Sequence, residues 1–355
     1  MKKTRGQQNG ISVVCSFILV LFISGILLAA CGYNPLQVFS LIIKGAFGSQ
    51  SAIVQTLIQT TPLIFSGLAY IVASRAGMFN LGMEGQIYMG AIAAAVVGGI
   101  DAGLPAFIHI PLTLLAGCIA GGLYGALAGV MKVKFGANEV ISTLMLNFVA
   151  INFTGYLVNY PLKADGPVAQ TEDVMPTAML PKLFDRYPLS IAILIALAAV
   201  VLIKIFIERT TVGYEIRVVG NNQAAAETAG ISIPKILTLG MFLSGMIAGM
   251  GGACHITGVD RRFVDGFSNG YGFDGIAVAA LAVSRPEMVL PAALIFGVLR
   301  AGALRLNMTM NLPTDFVSVI QGLVIIFVAA PMLIHSMGDT VGKVICRIKR
   351  REMAE

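Results

Sequence analysis

Apolar runs of roughly 17 to 25 residues recur down this chain, each long enough to cross about 30 Å of hydrocarbon as a helix. They restrict the fold more than any motif does. A backbone in lipid must satisfy its own hydrogen bonds, so a spanning segment is a helix or part of a closed barrel, and no period-2 alternation suggests a barrel. Composition agrees: charged residues make up 12%, hydrophobic residues 57%, and mean hydropathy is +0.84, where a soluble domain carries about 25% charged residues. The expected fold is an all-α polytopic membrane protein in the plasma (inner) membrane.

The runs read as spans over 11–30, 52–73, 86–100, 107–130, 140–160, 189–207, 236–256, 275–283, 288–303 and 316–334, about ten crossings. The eighth is too short to span alone and reads as a broken or re-entrant segment, which is tolerated only inside a protein-walled cavity. Lys and Arg fall unevenly on the two sides, about sixteen against about eight. The richer side includes Arg75, Lys132 and Lys204; the poorer holds Lys44, Lys163, Lys182, Arg186, Arg261, Arg262, Arg300 and Arg305. The positive-inside rule then puts both termini in the cytoplasm. That gives a cytoplasmic N-terminus (1–10), one transmembrane domain (11–335) and a basic cytoplasmic tail (336–355). Residues 161–188 form an extracytoplasmic loop and 208–235 a cytoplasmic one. The +6 net charge reads as topology signal and attraction to anionic membrane lipid, not as a nucleic-acid surface.

The start of the chain imitates a lipoprotein signal, with KKTR, an apolar run and Cys31 after Ala30. The run is longer than a usual signal core, so an uncleaved first helix is the simpler reading. Cys15, Cys118, Cys254 and Cys346 lack metal or disulfide spacing.

One polar island interrupts this apolar pattern: RAGMFNLGMEGQ (75–86). Polar residues also form rows inside spans. Glu139, Thr143 and Asn147 share a helix face with Gly155 and Asn159, and Gln55, Gln59, Pro62, Ser66 and Tyr70 make a similar row. Lipid is no partner for such faces. They close either into a hydrated path or into interhelical hydrogen bonds. Gly117, Gly121, Gly125 and Gly129 lie on one helix face, and Gly245 and Gly249 repeat the spacing later. Small faces let helix backbones approach closely; internal packing is the first expectation, a mobile or subunit interface the second.

Enzymatic constellations are weak. Gly266-Phe-Ser268-Asn-Gly270 matches G-x-S-x-G but lacks the strand and base of a nucleophile elbow, His255 being the nearest candidate base. No H-E-x-x-H occurs, and the string Gly338 to Val344 has the wrong spacing for a P-loop. The chain is not expected to hydrolyse ATP. In the cytoplasmic loop, Asn221-Asn222 can cap a short helix over 223–229 that Gly230 terminates. A short helix under the membrane has little apolar reason to exist unless something docks on it.

Four segments in order, FNLGMEGQIYMGA (79–91), NEVISTLMLNFVAINF (138–153), VVGNNQAAAETAGI (218–231) and GYGFDGIAVAALA (270–282), resemble the permease subunits of bacterial ABC importers for ribose-type sugars, nucleosides and branched-chain amino acids, with nucleoside permeases the most similar in wording. The resemblance runs from about residue 57 to 330 and implies a type II ABC importer-like permease. It implies a cytoplasmic ABC ATPase, an extracytoplasmic substrate-binding lipoprotein, a second permease subunit in a homo- or heterodimer, and no cofactor on this chain, with ATP on the partner. Ala224, Ala225, Glu227 and Gly230 would then belong to the helix seated in the ATPase. Asn80, Glu84, Gln86, Glu139, Thr143, Asn147, Asn152 and Asp274 are the candidates for the translocation pathway. Ser284-Arg285-Pro286 stands where that resemblance leads one to expect a glycine-rich turn, which leaves the end of the eighth helix open. Gly77-Met-Phe79-Asn80 and Gly272-Phe273-Asp274-Gly275 follow spans five apart, the spacing of an inverted repeat. The alternatives are a permease for ribose-type sugars, an ion-coupled secondary carrier using Glu84 or Glu139, and a membrane serine hydrolase using Ser268.

Overall fold

The computed structural model describes residues 24–26, 28–30, 32–101, 103–268 and 270–310, with the isolated positions 319 and 322. The elements are α1 (Pro35–Phe47), α2 (Gln50–Arg75), α3 (Met83–Gly98), α4 (Ala106–Phe135), α5 (Glu139–Asn159), β1 (Lys182–Phe184), β2 (Tyr187–Ser190), α6 (Ala192–Arg209), α7 (Thr211–Asn221), α8 (Gln223–Thr228), α9 (Ile233–His255), α10 (Tyr271–Leu281) and α11 (Val289–Met310). The span at 316–334 and most of that at 11–30 lie outside the described residues, as do Cys15, Cys31 and Cys346.

Local chemistry sets the helix ends. Ser49, Asn138 and Thr210 are N-caps whose side chains accept from Ala52, Val140 and Gly213 N–H groups. Gly136 ends α4 in the left-handed conformation at φ 64°. The helix α1 was not expected, although Pro35 at its first position and the Asn34 side chain accepting from Leu36 N–H mark its start.

Among the described residues, five helices are long and apolar enough to cross a membrane, at Gln50–Arg75, Ala106–Phe135, Glu139–Asn159, Ile233–Asp260 and Pro286–Met310, and a sixth if Ser24–Ala30 and Pro35–Phe47 form one bent span. The remaining apolar runs are altered by local features. The helix α3 has 16 residues, about 24 Å of rise. Lys204, Glu208 and Arg209 sit in the last turns of α6. The eighth predicted segment is α10, 11 residues long and shifted toward the N-terminus of its expected range.

Two compact units divide the chain, 46–301 and a second made of 1–45 with 302–355. In the second, Gly302 stands against Ile42, and Gly45 against the Arg305 side chain. In the first, the centre is a glycine seam. A Cβ on Gly121 would meet the Gly245 carbonyl, one on Gly249 the Gly117 carbonyl, and one on Gly90 the backbone of Gly249. Gly125 and Gly129 lie against Met241 and Thr238 in the same way. Three helices, α3, α4 and α9, thus approach to backbone contact, gaining dispersion and hydrogen-bond proximity where lipid provides no hydrophobic drive between them. The stripe is internal packing. Ile108, Leu112, Leu115, Ile119, Leu123 and Leu127 are exposed on α4 away from it.

At the other end of α9 the helix runs into a π-turn, Ile256–Asp260, and Arg261 reverses the chain at φ 61°. The loop over 161–188 lies across it: Thr171, Val174 and Leu180 N–H groups donate to the carbonyls of Phe263, Arg261 and Thr257. Its antiparallel hairpin pairs Lys182 with Ser190 and Phe184 with Tyr187.

Candidate functional site

Between Arg75 and Met83 the chain abandons the helix and enters the protein. Asn80 is fully buried. Its Nδ2 donates to Gln86 Oε1 at 2.9 Å and to Ser244 Oγ at 2.8 Å, while its Oδ1 accepts from the Gly82 N–H at 2.9 Å and Gln86 Nε2 at 3.2 Å. Ser244, at the midpoint of α9, passes its own proton to the Ala69 carbonyl at 2.7 Å. The island therefore climbs from the end of α2 to the mid-depth of the bundle. Its backbone is completed by α5: Thr143 Oγ1 accepts from Leu81 N–H at 3.2 Å, and Asn147 accepts from Gly85 N–H at 2.8 Å and donates to Leu81 carbonyl at 2.7 Å. Irregular backbone at membrane depth persists only with such partners.

A second break meets the first. After Arg261 the chain folds back to Gly270, at φ 84°, where α10 begins. Glu84, buried in the first turn of α3, receives three donors: Ser268 Oγ at 2.6 Å and Gly270 N–H at 3.1 Å on Oε1, and Gly272 N–H at 2.6 Å on Oε2. Glu84 thus caps α10 across space, satisfying N–H groups that a helix start leaves free and placing an acidic group at the positive end of the helix dipole. The approach needs glycine at 272, since a Cβ there would strike the Glu84 backbone nitrogen. A buried carboxyl without partners is costly; here its two oxygens are fully engaged.

Around this joint, Tyr271 donates its hydroxyl to Gln59 Oε1 at 2.6 Å, and the Arg300 guanidinium lies 4.3 Å from the Tyr271 ring centre. Arg300 Nε also reaches Asp274 Oδ2 at 2.7 Å. The Tyr88 hydroxyl donates to the Ser268 carbonyl at 3.2 Å, and its ring packs on Phe263 and Phe267. Charge counting set Arg300 and Arg305 on the outer side, Arg300 within the span 288–303 and Arg305 just beyond it; the structure carries α11 on to Met310, so both lie within it. A lone Arg in an apolar run with an Asp in the neighbouring run was the signal for the pairing of Arg300 with Asp274.

Of the expected pathway residues, Asn80, Glu84, Gln86, Thr143 and Asn147 come together, and Asp274 joins them through α10. Glu139 stands apart, paired with Lys132 at 2.8 Å. Asn152 lies on an exposed face of α5, its amide donating to the Phe148 carbonyl of its own helix at 2.7 Å. The two polar rows do not close on each other; Gln59 and Ser66 meet α10, through Tyr271 and against Gly275, whereas Thr143 and Asn147 meet the island. Ser268 has its hydroxyl committed to Glu84, and His255 Nε2 lies 3.3 Å from Asp260 Oδ2. Neither arrangement makes a nucleophile and base. Ser244, Tyr271 and Arg300 were not foreseen.

In the loop over 208–235, Asn222 caps α8 by accepting from Ala225 N–H at 3.2 Å, and Gly230 follows at φ 75°. Ala226 points inward, while Ala224, Ala225, Glu227 and Gly230 are exposed on one small platform.

Residues 52–329 match the family described as branched-chain amino acid transport system / permease component. The chain is 36% identical over 325 residues to the guanosine ABC transporter permease protein NupP of Bacillus subtilis (strain 168), covering 90% of this chain and 93% of the relative. It is 33% identical over 337 residues to the nucleoside ABC transporter permease protein NupB of Lactococcus lactis subsp. cremoris (strain MG1363), covering 92% and 91%. It is also 32% identical over 325 residues to the glucose ABC transporter permease protein TsgB13 of Haloferax volcanii (strain ATCC 29605), covering 88% and 85%.

Proposed function

The chain belongs to the branched-chain amino acid transport system / permease component family, and from that membership we propose that it is the membrane-spanning subunit of an ABC importer that translocates nucleosides. It is an integral membrane transport subunit rather than an enzyme. Similarity to guanosine and nucleoside permeases over about nine tenths of the chain carries the substrate class.

In this reading the chain makes about ten crossings with both termini in the cytoplasm, as its charge asymmetry favours. A separate ATPase binds and hydrolyses ATP, and this chain carries no cofactor. The exposed platform of Ala224, Ala225, Glu227 and Gly230 is its seat. A substrate-binding lipoprotein meets the outer loops, and a second permease subunit completes the pathway. Broken helices at mid-depth are the usual construction of alternating-access sites, and the Asn80–Glu84 joint with α10 supplies one. Exposed Phe148 and Phe153 flank Asn152 on α5. They offer a base-stacking surface and an amide for base or ribose edges, on the face a second permease would cover.

A sugar substrate is the second reading, favoured by the similarity to the glucose permease protein of Haloferax volcanii. Uptake of labelled guanosine in cells carrying the whole transporter separates the two. Competition by unlabelled uridine or adenosine but not by ribose or glucose is the expected result; competition by the sugars alone reverses the assignment.

A further inference from the structure

The two ends of the polar island grip the two ends of α10. At one end Glu84 caps Gly270 and Gly272. At the other, Arg75 Nη2 donates to the Ser284 carbonyl at 2.9 Å, just beyond the last turn of α10. That turn is built without glycine: Val283 and Ser284 both take the left-handed conformation, at φ 52° and 51°, while their N–H groups donate to the Ala280 and Ala279 carbonyls at 3.0 Å. A β-branched residue at positive φ is a genuine outlier, and such strain persists only where the surroundings enforce it. Arg75 is the side chain that fastens the turn from another helix.

The same stretch of island touches the cytoplasmic segment. The backbones of Gly77 and Gly220 are in direct contact, for a Cβ on Gly77 would meet Gly220 Cα and one on Gly220 the Arg75 carbonyl. Gly220 lies in the last turn of α7, immediately before α8. Ile216 and Val219 of α7 and Ala226 of α8 share one apolar cluster with Ala73, Ala76 and Met78, so the segment and the base of the island are packed as one body.

We infer that Arg75 is a positioning residue for transport, clamping the strained Val283–Ser284 turn so that displacement of α7 and α8 is delivered through the Gly77–Gly220 contact to α10 as a whole. This rests on the permease reading above. With Glu84 at one end and Arg75 at the other, α10 cannot lag behind the island when the island moves. The contacts that enforce the left-handed turn at 283–284, Arg75 among them, hold it in one conformation, which transmits displacement where the freer backbone of Val283→Gly would absorb it.

The test uses the complete transporter in proteoliposomes with ATP. Labelled guanosine imported per ATP hydrolysed is compared among wild type, Arg75→Gln, Val283→Gly and the double variant. Motion is followed by spin labels at Phe273→Cys on α10 and Leu123→Cys on α4, before and after trapping with ATP and vanadate. Expected is a label separation that shifts in wild type but not with Arg75→Gln. Each single variant lowers guanosine per ATP about 5- to 10-fold, within the range of inter-site coupling, and the double variant is no worse than Arg75→Gln because the residues act as one unit. An unchanged ratio, losses that multiply, or a label shift that survives Arg75→Gln overturns the inference. A wild-type label shift lost in Arg75→Gln without any guanosine import sustains it and removes the substrate assignment instead.

Discussion

The backbone N–H of Gly272 donates to Glu84 Oε2 at 2.6 Å, joining the first turns of α3 and α10 although the two residues stand 188 apart in sequence. This bond makes two unwound segments into one buried joint. Ser268 and Gly270 complete it on the other oxygen.

Glu84→Gln preserves size but replaces one acceptor oxygen with an NH2 donor facing N–H and O–H groups. Hydrogen bonds to charged groups contribute about 1.5–3 kcal/mol each, so losing one and opposing another lowers guanosine uptake by more than about tenfold. Glu84→Asp, which keeps the charge but shortens the reach, falls between wild type and Glu84→Gln. Uptake normalised to the amount of protein in the membrane measures both.

The glycine seam predicts a sharp asymmetry across α4. Gly121→Leu drives a side chain into the Gly245 carbonyl and the Gly249 backbone and pushes α4 off α9. Overpacking of this kind costs about 1–3 kcal/mol or more, and the expected outcome is a lower unfolding temperature and less monodisperse protein in detergent. Leu123→Ala, on the exposed side, shifts stability by no more than about 0.5 kcal/mol.

Asp274 and Arg300 are each less than one fifth exposed and lie 2.7 Å apart. Removing Arg300 takes the cation from beside the mostly buried Asp274 carboxylate, and removing Asp274 takes the acceptor from Arg300 Nε, each at a cost of up to about 3–5 kcal/mol. Asp274→Asn and Arg300→Gln therefore each destabilise strongly, while the double variant recovers most of the loss. Recovery is incomplete because Arg300 also stacks over Tyr271, a contribution of about 0.5–1 kcal/mol or more. A double-mutant cycle on thermal unfolding gives the coupling.

Much of this was legible in the residues. Runs of apolar residues marked the long helices, Asn222 and Gly230 marked the limits of α8, and the glycine spacing marked the seam. Asn80, Glu84 and Asn147 stood out because polar side chains in apolar sequence need partners. What the sequence left open was which partners. Nothing local to RAGMFNLGMEGQ says that Glu84 caps a helix begun at Gly270, because that contact is made by the tertiary fold. Asn152 shares its residue type with Asn147 but faces outward, since five positions along a helix turn a side chain to another face. The pairing of Arg300 was missed because a charge count by sides treats every cation as a mark of topology, whereas Asp274 of α10 holds this one.

The most direct measurement of the account is ATP-driven guanosine uptake by the reconstituted complex with Glu227→Arg, which puts a reversed charge on the exposed α8 platform. The predicted result is a variant that inserts and assembles in the membrane normally but imports no guanosine with ATP, while wild type imports it only when the ATPase subunit is present. Uptake by this chain without any ATPase, following a proton or sodium gradient and indifferent to Glu227→Arg, would contradict it.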